Sequence, residues 1–200
     1  MRSFREDDEL VVRARTGDDT AWAELYRRNA ARLIVWLGSL PSGDAAADPE
    51  DIAADAWLTA AQKLSTFSGT SDDFAGWLFS IARNVAHNRR RTSARRATSP
   101  HDTALTGGVD WGTTEDGSLV INGTDATRRL LGHLSSREAE VIACIDVVGL
   151  DATATSQALG ISVTAVRVAR HRGLKRLRNR LTTEEPAPGH SPPPGTEVVW

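Results

Sequence analysis

The sequence predicts an all-α protein built as two small helical domains joined by a flexible acidic linker. Three observations lead there. Apolar residues recur at three- and four-residue steps over most of the 200 residues, and no alternating run rises above background to suggest a strand. That periodicity stops between residues 92 and 124, where Thr, Ser, Gly and Asp dominate. It resumes near Asp125 and ends in a short helix, a glycine turn and a longer basic helix. The expected boundaries are a first domain at 7–96, a linker at 97–125, a second domain at 126–181 and a disordered Pro-rich tail at 182–200.

In the first domain, Gly17-Asp18-Asp19 is a stop-and-cap signal. Behind it Trp22, Leu25, Tyr26, Asn29, Leu33, Trp36 and Leu37 share one helix face, on which only Asn29 is polar. Pro41-Ser42-Gly43-Asp44 ends that helix. Asp48-Pro49-Glu50-Asp51 opens the next: Asp48 can cap free amides, Pro49 suits the first turn, and the two carboxylates favour the positive end of the helix dipole. Its apolar face is Ile52, Ala53, Ala56, Trp57, Ala60 and Leu64. The turn Phe67-Ser68-Gly69-Thr70-Ser71 leads into a third helix, with Phe74, Trp77, Leu78, Ile81, Ala82 and Val85 on its core face. Beyond Val85 the apolar stripe gives way to arginine.

In the second domain, Leu130, Leu131 and Leu134 form an apolar patch, and Ser135-Ser136-Arg137-Glu138 has capping-box spacing. Val141, Ile142, Ile145 and Val148 continue to a stop at Gly149. An Ala/Thr helix ending at Leu159, the turn Gly160-Ile161-Ser162 and a helix from Val163 to about Leu181 complete a helix-turn-helix pattern. On the last helix Val163, Val166, Leu174, Leu177 and Leu181 are expected to pack inward. Thr164, Arg167, Val168, His171, Arg172 and Lys175 fall mostly on the opposite face, with Arg170 at the border. Cys144, on an apolar face, is expected in the core.

The net charge of −2 conceals strong segregation. Residues 76–96 hold six Lys/Arg and no Asp/Glu, and residues 161–181 hold seven and none. Dense basic blocks of this kind are candidate polyanion contacts. In the second block the first turns of the last helix suit the major groove, where arginine can grip guanine with two hydrogen bonds. In the first block Arg83, Arg89, Arg90, Arg91, Arg95 and Arg96 stand beside Asn84, His87 and Asn88, just after an aromatic and a small polar loop. That combination suits single-stranded nucleic acid, whose unstacked bases can be held in pockets.

Other classes are disfavoured. No window approaches the roughly 18 unbroken apolar residues of a membrane span. The N-terminus turns acidic at once, unlike a secretory signal, so a cytoplasmic location is expected. The one cysteine excludes an intrachain disulfide and a cysteine zinc cage. No phosphate-binding glycine loop, nucleophile elbow or His/Cys metal spacing is present. No catalytic residue, cofactor or metal is expected, and Glu50, Asp51 and Asp55 read as a solvated face or a docking face for a basic partner. A freestanding helix-turn-helix regulator remains the alternative; it would leave the Asn84/arginine block without a task.

Assembled, these residues resemble the extracytoplasmic-function sigma factors, the minimal group of the bacterial sigma-70 family. Asp48-Pro49-Glu50-Asp51-Ile52-Ala53-Ala54-Asp55-Ala56-Trp57 is similar to the core-binding segment of that family's region two, and Trp77-Leu78-Phe79-Ser80-Ile81-Ala82-Arg83-Asn84 to its Trp-Leu…Ile-Ala…Asn signature. Leu134-Ser135-Ser136-Arg137-Glu138, Gly149-Leu150, Leu159-Gly160-Ile161-Ser162 and Val166-Arg167 stand at the spacing of region four. Ala152-Thr153-Ala154-Thr155 departs from the commoner aromatic-and-acidic start of the first helix-turn-helix helix, and Ala54 stands where many members carry Gln.

The resemblance implies a non-enzymatic subunit that binds core RNA polymerase, directs it to promoters and promotes melting. It implies polymerase contacts from Asp48, Asp51, Ile52, Asp55 and Trp57 on the β′ clamp helices, with the β flap as a further contact. It implies minus-ten contacts from Phe67, Ser71, Asn84, His87, Asn88, Arg89, Arg90 and Arg91, to melted single strand. It implies minus-thirty-five contacts from Thr164, Arg167, Val168, Arg170, His171, Arg172 and Lys175, to duplex. It also implies an anti-sigma factor as a partner.

Overall fold

A computed structural model describes residues 4–41, 48–97 and 117–184, with side chains described for 9–41, 48–93 and 123–182. Trp111, most of the expected linker and nearly all of the Pro-rich tail lie outside the described residues.

Helix α1 (Phe4–Arg15) turns at Gly17, whose φ of 90° suits glycine, into α2 (Asp19–Ser39). Asp18 caps α2, accepting from the Thr20 and Ala21 amides at 2.9 and 3.1 Å. The Thr20 hydroxyl, then Arg13, hold its carboxyl far below the usual range. Helix α3 (Pro49–Lys63) starts as expected, with Asp48 accepting from the Glu50 amide at 2.9 Å and Pro49 in the first turn. A 3-10 turn (Leu64–Thr66) and a short loop lead to the long α4 (Ser71–Ala97).

These four helices enclose an aromatic core. Trp57 meets Trp22 edge-on at 5.6 Å and lies 4.9 Å from Tyr26, and Phe74 is 6.1 Å from Trp57 and 5.7 Å from Trp77. Asn29, the one polar residue on the α2 face, is buried, and its amide donates to the Leu25 carbonyl at 2.9 Å.

The second half begins earlier than the sequence suggests. Helix α5 runs Gly117–Leu131, so residues 117–125, expected in the linker, are helical. The later turns of α5 are fastened to α2: Arg128 donates to the Gly38 carbonyl at 2.7 Å, and Thr124 packs against Gly38. Helix α6 (Ser136–Ile142) opens on the expected capping box, with Ser135 and Glu138 exchanging hydrogen bonds. A π-turn (Ala143–Val147) follows, and Gly149 at φ 70° lets the Leu150 amide return to the Cys144 carbonyl at 2.8 Å. Helices α7 (Ala152–Leu159) and α8 (Val163–Glu184) form the helix-turn-helix, with Gly160 left-handed at φ 65° between them.

Val166, Ala169 and Gly173 form the buried edge of α8, and Val163, Leu174 and Leu177 are half-buried. Leu181 corrects the expectation of an inward face: it is 57% exposed. The helix has by then run past Arg180, which meets His133 ahead of the α6 capping box, and among the described residues no further element covers its end.

The two halves also pack on each other. Helix α4 lies along α7, the most extensive helix–helix contact among the described residues. Arg83 donates to Glu140 at 3.2 and 3.3 Å, Arg32 to the Val148 carbonyl at 2.8 Å, and Gln157 to Asp73 at 3.0 Å. Trp36, packed 5.2 Å from Phe79, neighbours the Cys144 thiol, and all three are fully buried.

Candidate nucleic-acid interface

Three surfaces carry the charged and polar residues singled out in the sequence. The first is a cleft of about 520 Å³ between the 64–70 segment and α4, lined by Thr66, Phe67, Ser68, Gly69, Asp73, Trp77, Ser80 and Gln157. Its back wall is aromatic, because Phe67 stacks on Trp77 at 4.6 Å. The resemblance implies a base contact at Phe67, but the ring is buried, held against Phe74 and Trp77, and offers only the wall of the cleft.

One carboxylate fixes the rim. Asp73 Oδ2 accepts from the Thr70 amide and hydroxyl, both at 2.9 Å, while the Asp73 amide donates back to the Thr70 hydroxyl at 3.3 Å. The Thr70 amide, then Gln157 and the Thr70 hydroxyl, hold the Asp73 carboxyl below its ordinary value. Gly69 is forced by crowding: a Cβ there would stand 2.5 Å from Phe67 Cζ and 2.8 Å from Asp73 Cβ.

From this cleft an exposed stripe runs down α4. Trp77 and Ser80 line the cleft, and Asn84, His87, Asn88 and Arg91 continue at helical spacing, all exposed. Ser71 stands half-buried at the helix start. Arg90 is exposed and, with His87, also lines a small recess against Trp36, Leu40 and Glu140. Arg89 leaves the stripe. Its guanidinium turns to α3, donating to Asp55 and lying 3.8 Å from Asp51. Two residues expected on a partner surface and one expected on DNA are thus joined to each other.

The second surface is acidic. Asp48, Glu50, Asp51 and Ala54 are exposed and Asp55 half-exposed along the outer face of α3. Leu58 stands among them at 62% exposure, a residue the sequence reading passed over. Ile52 and Trp57, expected on the same docking surface, are buried, because the apolar side of α3 is consumed by the aromatic core.

The third surface is the outer face of α8. Thr164, Arg167, Val168, His171, Arg172 and Lys175 are all exposed and share that face. Arg170 is the exception: its guanidinium is clamped by both oxygens of Asp146, at 3.2 and 3.0 Å from Nε, which ties α8 to the π-turn. Among the described residues no group of three or more His, Cys, Asp or Glu could hold a metal, and no helix is long and apolar enough to cross a membrane.

Known proteins resemble this arrangement along nearly its whole length. Residues 25–96 match the family Sigma-70 region 2, and residues 124–177 match Sigma-70, region 4. The ECF RNA polymerase sigma factor ShbA of Streptomyces griseus is 32% identical over 84% of this chain and 92% of its own length. The ECF RNA polymerase sigma factor SigF of Caulobacter vibrioides is 28% identical over 86% of this chain and 92% of its own. In fold, the chain is similar to CnrH, solved in complex with the cytosolic domain of CnrY, at a TM-score of 0.61 and 23% identity over 89% of this chain and 98% of the other. It is also similar to RpoE of Bartonella quintana, solved with the anti-sigma factor NepR, at a TM-score of 0.56 and 19% identity over 81% of this chain and 96% of the other.

Proposed function

Because the chain belongs to the extracytoplasmic-function sigma factors of the sigma-70 family, non-enzymatic subunits that direct RNA polymerase in transcription initiation, we propose a division of that task among its three surfaces. The acidic face of α3, with Asp48, Glu50, Asp51 and Asp55 around the exposed Leu58, docks on the β′ clamp helices of core polymerase, and the second half meets the β flap. Charge steers the encounter and the leucine supplies burial.

The cleft at Phe67–Asp73 takes an unstacked base of the minus-ten element, and the stripe Asn84, His87, Asn88 and Arg91, with Arg90 beside it, carries the melted strand onward. Arg89 serves this reader indirectly, by bracing α4 against Asp51 and Asp55. Extruding a base costs a few kcal/mol, so a site that receives it favours the melted state and reads sequence at the same step. The outer face of α8 reads the minus-thirty-five element as duplex: Arg167, His171 and Arg172 reach base edges, Thr164, Val168 and Lys175 flank them, and Arg170 holds the helix in place. Polymerase fixes the spacing between the two readers. The protein works in the bacterial cytoplasm, and an anti-sigma factor restrains it, as the complexes solved for CnrH and RpoE suggest.

The observation that carries this reading is the unbroken exposed stripe from the cleft to Arg91, on the same chain as a free basic recognition helix. Reconstitution with bacterial core polymerase, followed by transcription from a pooled library of upstream regions, tests it. Start sites that need both components, and shared minus-ten and minus-thirty-five elements among them, are the expected result. A free protein that binds symmetric duplex half-sites tightly and never co-elutes with core polymerase would overturn it.

A further inference from the structure

The outer face of α8 carries one apolar side chain, and the core does not account for it. Val166 and Ala169 fill the buried edge of the helix, while Val168, between them in sequence, is 43% exposed. A β-branched residue is no aid to a helix either, because its rotamers are restricted there. Neither packing nor propensity explains a valine at this position.

Its neighbours on the helix offer a reason. The Ala165 amide donates to the Ser162 hydroxyl at 3.2 Å, so α8 begins at Val163 and Thr164–His171 make up its first turns. These are the turns by which a recognition helix enters the major groove. Val168 stands one turn after Thr164 and one turn before Arg172, with Arg167 and His171 beside it on the same exposed face. It is therefore at the centre of the basic face and not at its rim. On the other side of the helix, the grip of Asp146 on Arg170 keeps this face turned outward.

An isopropyl group neither donates nor accepts a hydrogen bond. Pressed into the groove, it would leave a facing amino or carbonyl group without water and without a partner, which is costly. The floor of the groove presents one apolar group, the 5-methyl of thymine. We propose that Val168 is a specificity-determining residue that packs on the 5-methyl group of a thymine in the upstream element. The inference rests on the duplex assignment of α8. Neighbouring Cα atoms lie about 3.8 Å apart and stacked base pairs about 3.4 Å. The thymine thus stands, on one strand or the other, within about two base pairs of the position whose preference Arg167→Ala relaxes.

Replacing one thymine at a time by deoxyuridine tests this. Deoxyuridine keeps the pairing and the hydrogen-bonding groups of the groove and lacks only the methyl. Reconstituted holoenzyme is titrated, in competition, with duplexes carrying the upstream element recovered from the transcription experiment. At one thymine in the stated window the exchange weakens binding by the parent about fourfold, the worth of one buried methyl group. Val168→Ala, a substitution that an exposed helical position accepts, binds the thymine duplex more weakly than the parent and no longer distinguishes thymine from deoxyuridine there.

An upstream element with no thymine in that window overturns the proposal, as does a methyl effect that Val168→Ala retains in full. If scrambling the whole upstream element leaves holoenzyme binding unchanged, the duplex assignment of α8 falls and the valine contact falls with it. Binding that needs the element but ignores every methyl removes the valine contact alone.

Discussion

The two surfaces assigned to DNA differ in how they are made. The recognition face of α8 is carried by one helix, its residues fall in one stretch of sequence, and it stands open. The cleft of the first half is assembled from a 3-10 turn, a loop and α4, is backed by two stacked aromatics, and is lined on one side by a residue 84 positions from the carboxylate it binds. A reader of duplex needs only a face that fits a groove. A reader of a single base must enclose it, and so draws its walls from several elements.

The largest expected effect removes the scaffold on which both readers depend. Asp51→Arg combined with Leu58→Asp should weaken core polymerase binding about 100-fold, close to 2.7 kcal/mol, while duplex binding by the free chain is unchanged; competition for labelled core polymerase measures it. Next, Arg167→Ala should cost about 1–3 kcal/mol at the upstream element and relax the sequence preference at one position. Arg170→Ala, by contrast, should leave the preference intact and lower stability by less than about 1 kcal/mol, as a half-exposed ion pair does. Binding of a duplex library separates the two.

Asn84→Ala should leave polymerase binding untouched and slow open-complex formation about tenfold, near 1.4 kcal/mol, readable by fluorescence of a base analogue in the minus-ten strand. The smallest effect concerns pH. The folded value of Asp73 lies below the ordinary carboxylate value of about 3.9, held there by the Thr70 amide, then Gln157 and the Thr70 hydroxyl, so its contribution to stability is complete above that value and is lost as pH falls through the lower folded value. The stability difference between the parent and Asp73→Asn should therefore be constant from pH 7 to 5 and shrink only below about pH 4, as thermal unfolding across that range would show.

Much of this could be read from the chain alone, where the determinants are local. Asp18, Asp48, the Ser135/Glu138 pair and Gly160 each act within a few residues, and each stands where its spacing puts it. The outer face of α8 was legible for the same reason. What escaped depends on distant partners. Ile52 and Trp57 carry the right motif but face the core, since a motif does not say which side of its helix is consumed by packing. Arg89 and Arg170 looked like free cations until Asp55 and Asp146 came near. Thr70-x-x-Asp73 has capping spacing and could have flagged the rim of the cleft. Nothing local marks Gln157, whose role exists only because α7 lies on α4. The anchoring of α5 belongs with these, because Gly38 supplies part of what holds it.

The chain has one cysteine, and its place gives the molecule a built-in chemical clock. Burial, then the nearby Glu140 charge, push the Cys144 thiol up to about 12, so it stays protonated at neutral pH. While Trp36 covers it the sulfur is inert to alkylation and to air. Trp36 belongs to the first half and Cys144 to the second, so iodoacetamide should reach the sulfur only in molecules whose halves have separated or unfolded, and the rate at which it consumes Cys144 would report how often that happens.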